Sequence, residues 1–406
     1  MYPRYILKNL LIALQDTPCV ILIGARQVGK STLLKQLLPI DSHYITFDDL
    51  NYLAAADADP VGFLENYKNK TLILDEIQRV PKLLLAIKAA IDSDRKPGQF
   101  ILSGSANVLT LPKISESLAG RCEILHQYPL SSTEINNRTQ NFVDTCFESP
   151  TSWQEGEIDK PTLANLLFRG GYPEVQTRSM GRIAPWFQAY LTTLIQRDIR
   201  DIAAISDVAG IQKILLLSAR RACNLFNLSD IARLSGVKNT TVQRYFSLLE
   251  AIFLVQRLFP WNKTLDARIV KTPKLFFLDT GLLTYLLGKS HETIASAQDH
   301  TNGVLFENLV HCELKKHISW AQESTNLYFY RTHSGKEIDF LLERNQRKIA
   351  IEVKFSSTVT AHDFDNMKQL QKENPQLFDK GIVLYTGKTV IPFGTHFQAV
   401  PIANLL

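Results

Sequence analysis

Cysteine is scarce in this chain: five in 406 residues, at Cys19, Cys122, Cys146, Cys223 and Cys312. No two stand at the spacing of a CxxC metal site or redox pair, and an odd count argues against a disulfide framework. No apolar run approaches the ~20 residues that a membrane-spanning helix needs. The opening MYPRYILKNLLIALQD has an amphipathic helical pattern but not the layout of a signal peptide. Internal repeats and low-complexity tracts are not apparent. The expectation is a soluble, cytoplasmic protein with no membrane partner. Net charge is also small, at +5, so the overall balance points to no partner.

What is present is an ordinary globular composition, 45% apolar and 21% charged, in a chain long enough for two or three domains. The charge is unevenly spread. Residues 207–290 hold 12 Lys/Arg against 5 Asp/Glu, a local +7, and the rest of the chain sums to −2. A basic middle between near-neutral ends fits a polyanion partner. It equally fits a solvated surface rich in Lys and Arg.

The first ~150 residues alternate short apolar runs with helical patterns, as in an α/β unit with a parallel sheet. Strands are expected at 19–23, 44–47, 71–74, 100–102 and 122–125, each a continuous apolar run suited to burial on both faces. Residues 136–161 turn polar and read as a loop-rich boundary. Helices follow to about 205. Then come a mixed basic region to 290, a helix at 304–318, and strands at 327–330, 338–343 and 348–353. The expected domains are 1–150, 151–290 and 291–406.

Gly24-Ala25-Arg26-Gln27-Val28-Gly29-Lys30-Ser31, followed by Thr32, fits G-x-x-x-x-G-K-[ST] in full, after the strand CVILI and before the helix STLLKQLL. The glycines let the backbone N–H groups curl around phosphates, and the helix start adds its positive dipole end. Lys30 is expected on the β- and γ-phosphates and Ser31 on Mg²⁺. The strand TLIL ends in Asp75-Glu76. Asp75 is placed to hold the same Mg²⁺, and Glu76 to act as general base on the attacking water. The strand FIL ends in a Ser/Gly cluster. Ser105 is the first choice for a γ-phosphate sensor, ahead of Ser103 and Asn107, although such clusters also make ordinary turns. Arg121 is a candidate arginine finger reaching a neighbouring subunit, or equally a surface residue at a helix end.

GARQVGKST, LILDEIQ, ILSGSAN and SLAGR, in this order and spacing, resemble the AAA-type ATPases of bacteria and archaea with a DUF4143-type C-terminal region. The resemblance runs on through RGGYPE, LIQRDI, LFFLDTGLL and EIDFLL…IEVKFS, nearly the whole chain. It implies a P-loop fold with an additional strand and a catalytic Glu, ATP and Mg²⁺ as ligands, ATPase activity and homo-oligomerisation.

In the basic middle, residues 227–237 read as a short helix capped by Ser229 and a turn at Gly236. Residues 238–246 begin a second helix with Val242, Tyr245, Phe246 and Leu249 on one side. Lys238, Thr241, Gln243 and Arg244 fall on or near the other. With 252–258 as a wing, the pattern resembles a winged helix-turn-helix whose second helix enters the DNA major groove. A helical lid beside the ATPase, or a protein-binding winged helix, fits the same residues.

After residue 290, Glu307 on a helix, Asp339 in one strand, and Glu352 and Lys354 on one side of the next form a D-x₁₂-E-x-K pattern. This resembles the PD-(D/E)XK nuclease, or restriction-endonuclease-like, fold. Two acids and a carbonyl can hold Mg²⁺ there, with the Lys activating water. The same fold retained for binding alone also fits. The function expected is ATP hydrolysis acting on or with DNA. Two alternatives stay open: an ATP-controlled switch for a protein partner with an inactive nuclease-like domain, and a metal-dependent nuclease gated by ATP.

Overall fold

The computed structural model describes residues 2–36, 42–68, 70–105, 118–198, 207–262, 272–296, 300–332 and 334–406. The chain forms two compact units. One comprises Met1–Leu130 with Ala251–Phe253, the other Ser131–Glu250 with Leu254–Leu406.

The first unit is built on five parallel strands, β1 (Cys19–Ile23), β2 (Ser42–Thr46), β3 (Thr71–Asp75), β4 (Phe100–Gly104) and β5 (Cys122–His126), in the order β2-β3-β4-β1-β5. All five expected strands are present within two residues of their expected ends. Burial on both faces holds for β1 and β4 throughout and for β3 beyond its first residue. It fails for β2 and β5, each with one buried residue, because an edge strand has a neighbour on one side only. Ile6 and Leu10 of the helix Ile6–Ala13 pack with Val20, Leu22, Leu33, Ile73, Ile101 and Leu125. The strands all run one way, and Leu22 pairs with Ser103, Ile23 with Gly104 and Thr46 with Asp75. Their C-terminal ends therefore share one edge of the sheet, the edge where α/β sheets bind ligands.

The second unit begins earlier than the expected boundary near 150. Residues 131–150 belong to it because they are tied to the helix His300–Ser319. Ser132 N donates to Glu313 (2.9 Å), Phe142 N to His317 Nδ1 (3.0 Å) and Asn141 Nδ2 to the His317 carbonyl (2.9 Å). Glu313 is buried and pairs with Lys316 at 2.7 Å. The polar sequence after 136 is satisfied internally and is not merely a linker. The chain turns at Gly170, with φ 65°, and the Asp279 carboxylate holds the turn by accepting from Gly171 N (2.7 Å).

Next come helices Val208–Ala219, Leu228–Ser235 and Asn239–Ala251, then the antiparallel pair β6 (Val255–Leu258) and β7 (Lys274–Phe277). An isolated bridge joins Leu225 to Lys274. The unit ends in a six-stranded sheet of β8 (Asn326–Arg331), β9 (Glu337–Arg344), β10 (Arg347–Lys354), β11 (Phe378–Tyr385), β12 (Ile391–Pro392) and β13 (Phe397–Pro401). Its order is β12-β13-β11-β10-β9-β8. β10, β11 and β13 run parallel, and β8-β9-β10 form an antiparallel meander. Ile338, Leu341, Ala350, Met367, Leu370 and Val383 belong to its core. Among the described residues no helix is long and apolar enough to cross a membrane.

Candidate functional site

Residues 24–29 join β1 to the helix Lys30–Gln36. Gln27 and Gly29 have φ of 62° and 93°, which turns successive peptide groups into a curl. A Cβ on Gly24 would lie 2.1 Å from the Gln127 carbonyl oxygen, so only glycine fits there. Gln127, just after β5, braces the loop by donating from its side-chain amide to the Val28 carbonyl (2.9 Å). The Lys30 ammonium is buried inside the curl and donates to the carbonyls of Gly24 (2.8 Å) and Ala25 (2.9 Å). Arg26 and Ser31 are half-buried, Ala25 and Val28 buried, and Thr32 exposed. A curled backbone, a helix start and a buried ammonium together suit a polyphosphate.

Asp75 ends β3 with 2% exposure. Its Oδ2 accepts from the Tyr44 hydroxyl at 2.6 Å, and its Oδ1 from the Ser103 hydroxyl and from Glu76 N (3.1 Å). Burial, then the Asp75 carboxylate, push the Tyr44 hydroxyl well above its ordinary range, opposed by a hydrogen bond with Ser31. Tyr44 thus touches both residues expected to serve Mg²⁺. The donor set, a hydroxyl and a carboxylate beside a phosphate loop, suits a hard divalent cation.

Glu76 has left-handed backbone geometry, φ 59° and ψ 43°. A non-glycine residue in this region carries strain of about 1 kcal/mol or more. The turn swings its side chain to Ser105, whose hydroxyl donates to Glu76 Oε2 at 3.1 Å, and to Gln78, whose amide donates to the same oxygen. Gln78 also reaches Ser105 Oγ at 3.1 Å. Ser105, the first sensor choice, therefore meets Glu76, and Ser103 meets Asp75. Asn107, the third choice, lies outside the described residues. Arg121 is engaged within its own chain. It makes two bonds to the Asp92 carboxylate, at 2.6 and 3.0 Å, and one to the Ala119 carbonyl at 3.0 Å.

In the second unit the helix Asn239–Ala251 buries Val242, Tyr245, Phe246 and Leu249 and exposes Lys238, Gln243 and Arg244 at its start, with Thr241 half-buried. The cap of the preceding helix is Asn227, not Ser229. Its carboxamide oxygen accepts from Ser229 N at 2.9 Å, because the helix begins two residues earlier than the Ser229 cap requires. Gly236 ends that helix at φ 73°.

The four C-terminal residues also converge. Phe340 pairs with Ile351, which sets Asp339 opposite Glu352 on one face, and Asp339 Oδ2 accepts from Val353 N at 2.9 Å. Lys354 lies 3.2 Å from Glu352 and 3.5 Å from Asp363. The sequence reading did not anticipate Lys274. Its ammonium lies 2.9 Å from Glu307, 2.5 Å from Glu337 and 3.6 Å from Asp339, with 3% of the side chain exposed. Burial and the Asp339 charge push Glu307 up to about 8, opposed by Lys274. The same two causes push Glu352 up to about 8, opposed by Lys354. Two of the acids expected to hold Mg²⁺, Glu307 and Asp339, meet the Lys274 ammonium instead, and Glu352 meets Lys354. Among the described residues no group of three or more His, Cys, Asp or Glu is arranged to hold a metal ion.

Glu337 was legible, since it precedes Asp339 by two on a strand and shares its face. Tyr44, Gln78 and Gln127 carry no motif. Lys274 stands in the basic middle like any surface lysine.

Residues 16–136 match the family described as AAA domain, residues 160–293 a domain of unknown function (DUF8612), and residues 302–405 a domain of unknown function (DUF4143). An uncharacterized protein of Mycobacterium tuberculosis is 28% identical over 396 residues, 97% of this chain and 82% of that protein. One from Haemophilus influenzae is 24% identical over 402 residues, 93% of this chain and 91% of that one. Among solved structures, a RuvB variant of Thermotoga maritima aligns at TM-score 0.28 and 19% identity over 62% of this chain and 88% of its own. AMPPCP-bound DnaA from Aquifex aeolicus aligns at TM-score 0.27 and 16% identity over 60% and 86%. Both scores are too low to define a shared fold. Residues 16–136 are thus similar to AAA domains, and residues 302–405 to the DUF4143 family.

Proposed function

We propose that this protein hydrolyses ATP with Mg²⁺ and uses the cycle to act on or with DNA. The observation that carries the ATPase reading is the shared sheet edge. There Lys30 fills the phosphate curl, Ser31 and Asp75 flank Tyr44, and Glu76 stands one residue beyond Asp75. In this reading the loop amides and Lys30 bind the phosphates. Ser31 and Asp75 hold Mg²⁺, which neutralises charge on the phosphates. Glu76 takes the proton of the attacking water, and Ser105 and Gln78 orient its carboxylate. Arg121 acts on a neighbouring subunit of a homo-oligomer, which requires it to leave Asp92.

The DNA reading rests on the element order from Val208–Ala219 to β7, which follows a winged helix, and on the exposed Lys238, Gln243 and Arg244. Lys and Arg would contact phosphates and Gln243 a base edge. A second reading, a switch for a protein partner with an inactive nuclease-like domain, draws support from Lys274 among the acids. Phosphate release by wild type, Lys30→Ala and Glu76→Gln, with and without DNA, tests both. DNA-stimulated turnover with a steep salt dependence supports the first. Turnover indifferent to any nucleic acid supports the second. Full turnover by Lys30→Ala overturns the ATPase assignment.

A further inference from the structure

Lys274 has no role in the reactions above, yet it is among the most heavily compensated charges in the second unit. It opens β7, with its backbone paired to Leu258 and bridged to Leu225. Its side chain leaves that hairpin and ends between the helix His300–Ser319, which contributes Glu307, and β9, which contributes Glu337 and Asp339. Burying an ammonium is expensive unless it is paired, and one carboxylate would suffice. Here three lie within 3.6 Å of Nζ, and Glu352 stands on the same face beside Asp339. Arg331 takes a share of Glu337 at 2.5 Å, and Lys354 of Glu352 at 3.2 Å. Four carboxyl groups, with Asp363 a fifth at 3.5 Å from Lys354, thus share three cations. A simple structural ion pair does not gather so many carboxyl groups. A single ammonium stands at the centre of three of these carboxyl groups, in the place a cation would take.

We propose that Lys274 is the resident cation of the Glu307–Glu337–Asp339 cluster: while β7 is docked, its ammonium denies these carboxylates to a divalent metal and fastens the hairpin to the C-terminal sheet. The inference rests on the nuclease-like reading of that sheet and not on the ATPase reading. It makes the C-terminal region independent of metal in this state, and it makes displacement of β7 the event that uncovers the acids. β6 follows the helix that carries Arg244 and pairs with β7, whose first residue is Lys274.

The test reads metal binding, not cleavage, so that an inactive nuclease and a wrong inference are distinguishable. Nucleotide-free full-length protein is titrated with Mn²⁺ by electron paramagnetic resonance, comparing wild type with Asp339→Asn. Equal Mn²⁺ binding is expected. A stoichiometric site present in wild type and lost in Asp339→Asn overturns the proposal. Lys274→Met, which keeps the apolar stem, is then melted in EDTA and in millimolar Mn²⁺. It is expected to melt several degrees below wild type in EDTA and to recover in Mn²⁺, with the recovery abolished by adding Asp339→Asn. Wild type is expected to melt alike in both. Melting of Lys274→Met at the wild-type temperature, or a deficit equal in EDTA and Mn²⁺, overturns it. If Lys274→Met does not fold, the wild-type titration alone decides.

Discussion

The Tyr44 hydroxyl donates a 2.6 Å hydrogen bond to Oδ2 of Asp75, the carboxylate oxygen that Ser103 and the Glu76 amide leave open. A metal approaching Asp75 must displace this donor or share the oxygen with it. Tyr44→Phe keeps the ring and removes one bond to a charged group, worth about 1.5 kcal/mol. The Mg²⁺ concentration giving half-maximal ATP turnover should fall several-fold, and the nucleotide-free protein should melt slightly lower. Mg²⁺ titrations of phosphate release and melting curves check both. An unchanged Mg²⁺ requirement would remove Tyr44 from the metal's surroundings.

Glu76 and Lys30 should separate binding from chemistry. Glu76→Gln preserves the left-handed turn and the reach to Ser105 but cannot take a proton. Turnover should drop by roughly 10²–10⁴, the usual contribution of a general base, with ATP affinity nearly unchanged. Lys30→Ala removes the ammonium that fills the phosphate curl and should weaken ATP binding as well. Ser105→Ala leaves Gln78 on Glu76 and should cost only several-fold. A fluorescent ATP analogue reports affinity and phosphate release reports turnover.

Lys238 and Arg244 are exposed at the start of a helix whose opposite side is buried through Val242 and Phe246. Their removal should leave the fold intact. If they contact phosphates, Lys238→Ala and Arg244→Ala should each weaken DNA binding across sequences and lower the slope of log affinity against log salt by about 1. Gln243→Ala should instead alter discrimination between sequences with the slope unchanged. Fluorescence anisotropy at several salt concentrations measures both, and identical slopes for all three variants and wild type would refute the phosphate role.

The first unit was the more legible one. Its strands are apolar runs that end in chemistry, and a parallel sheet delivers those ends to one edge, so Gly24, Asp75 and Ser103 could be grouped from sequence. What braces them could not. Tyr44 reaches Asp75 across 31 residues and Gln127 reaches Val28 across 99, and no local pattern encodes such bonds. The resemblance likewise supplied the grouping of Glu307, Asp339, Glu352 and Lys354. Lys274 escaped because pattern reading counts ligands on the elements that carry the motif, and this residue arrives from a different hairpin. The boundary near 150 was misjudged for a related reason: a polar stretch reads as a linker unless the buried acceptors awaiting it, Glu313 and His317, are known.

The acids around Lys274 predict a pH dependence with a definite sign. Glu352 is pushed up to about 8, chiefly by burial and then by Asp339, against about 4.3 in an unfolded chain. Between those values the folded state holds a proton that the unfolded state has released, so raising the pH favours unfolding. The contribution of Glu352 to stability is complete below about pH 4, declines as pH rises towards 8, and is flat above it. Glu352→Gln keeps the shape and removes the titration. Its melting temperature relative to wild type should therefore climb steadily from pH 5 to pH 8 and then level off. Glu307→Gln should behave in the same way, because Glu307 is also pushed up to about 8. The comparison is a difference between paired melts, so the other buried acids, Asp279 and Glu313, cancel. Parallel melting curves for Glu352→Gln and wild type across that range would mean that Glu352 is ionised at neutral pH and that Lys354 outweighs its burial.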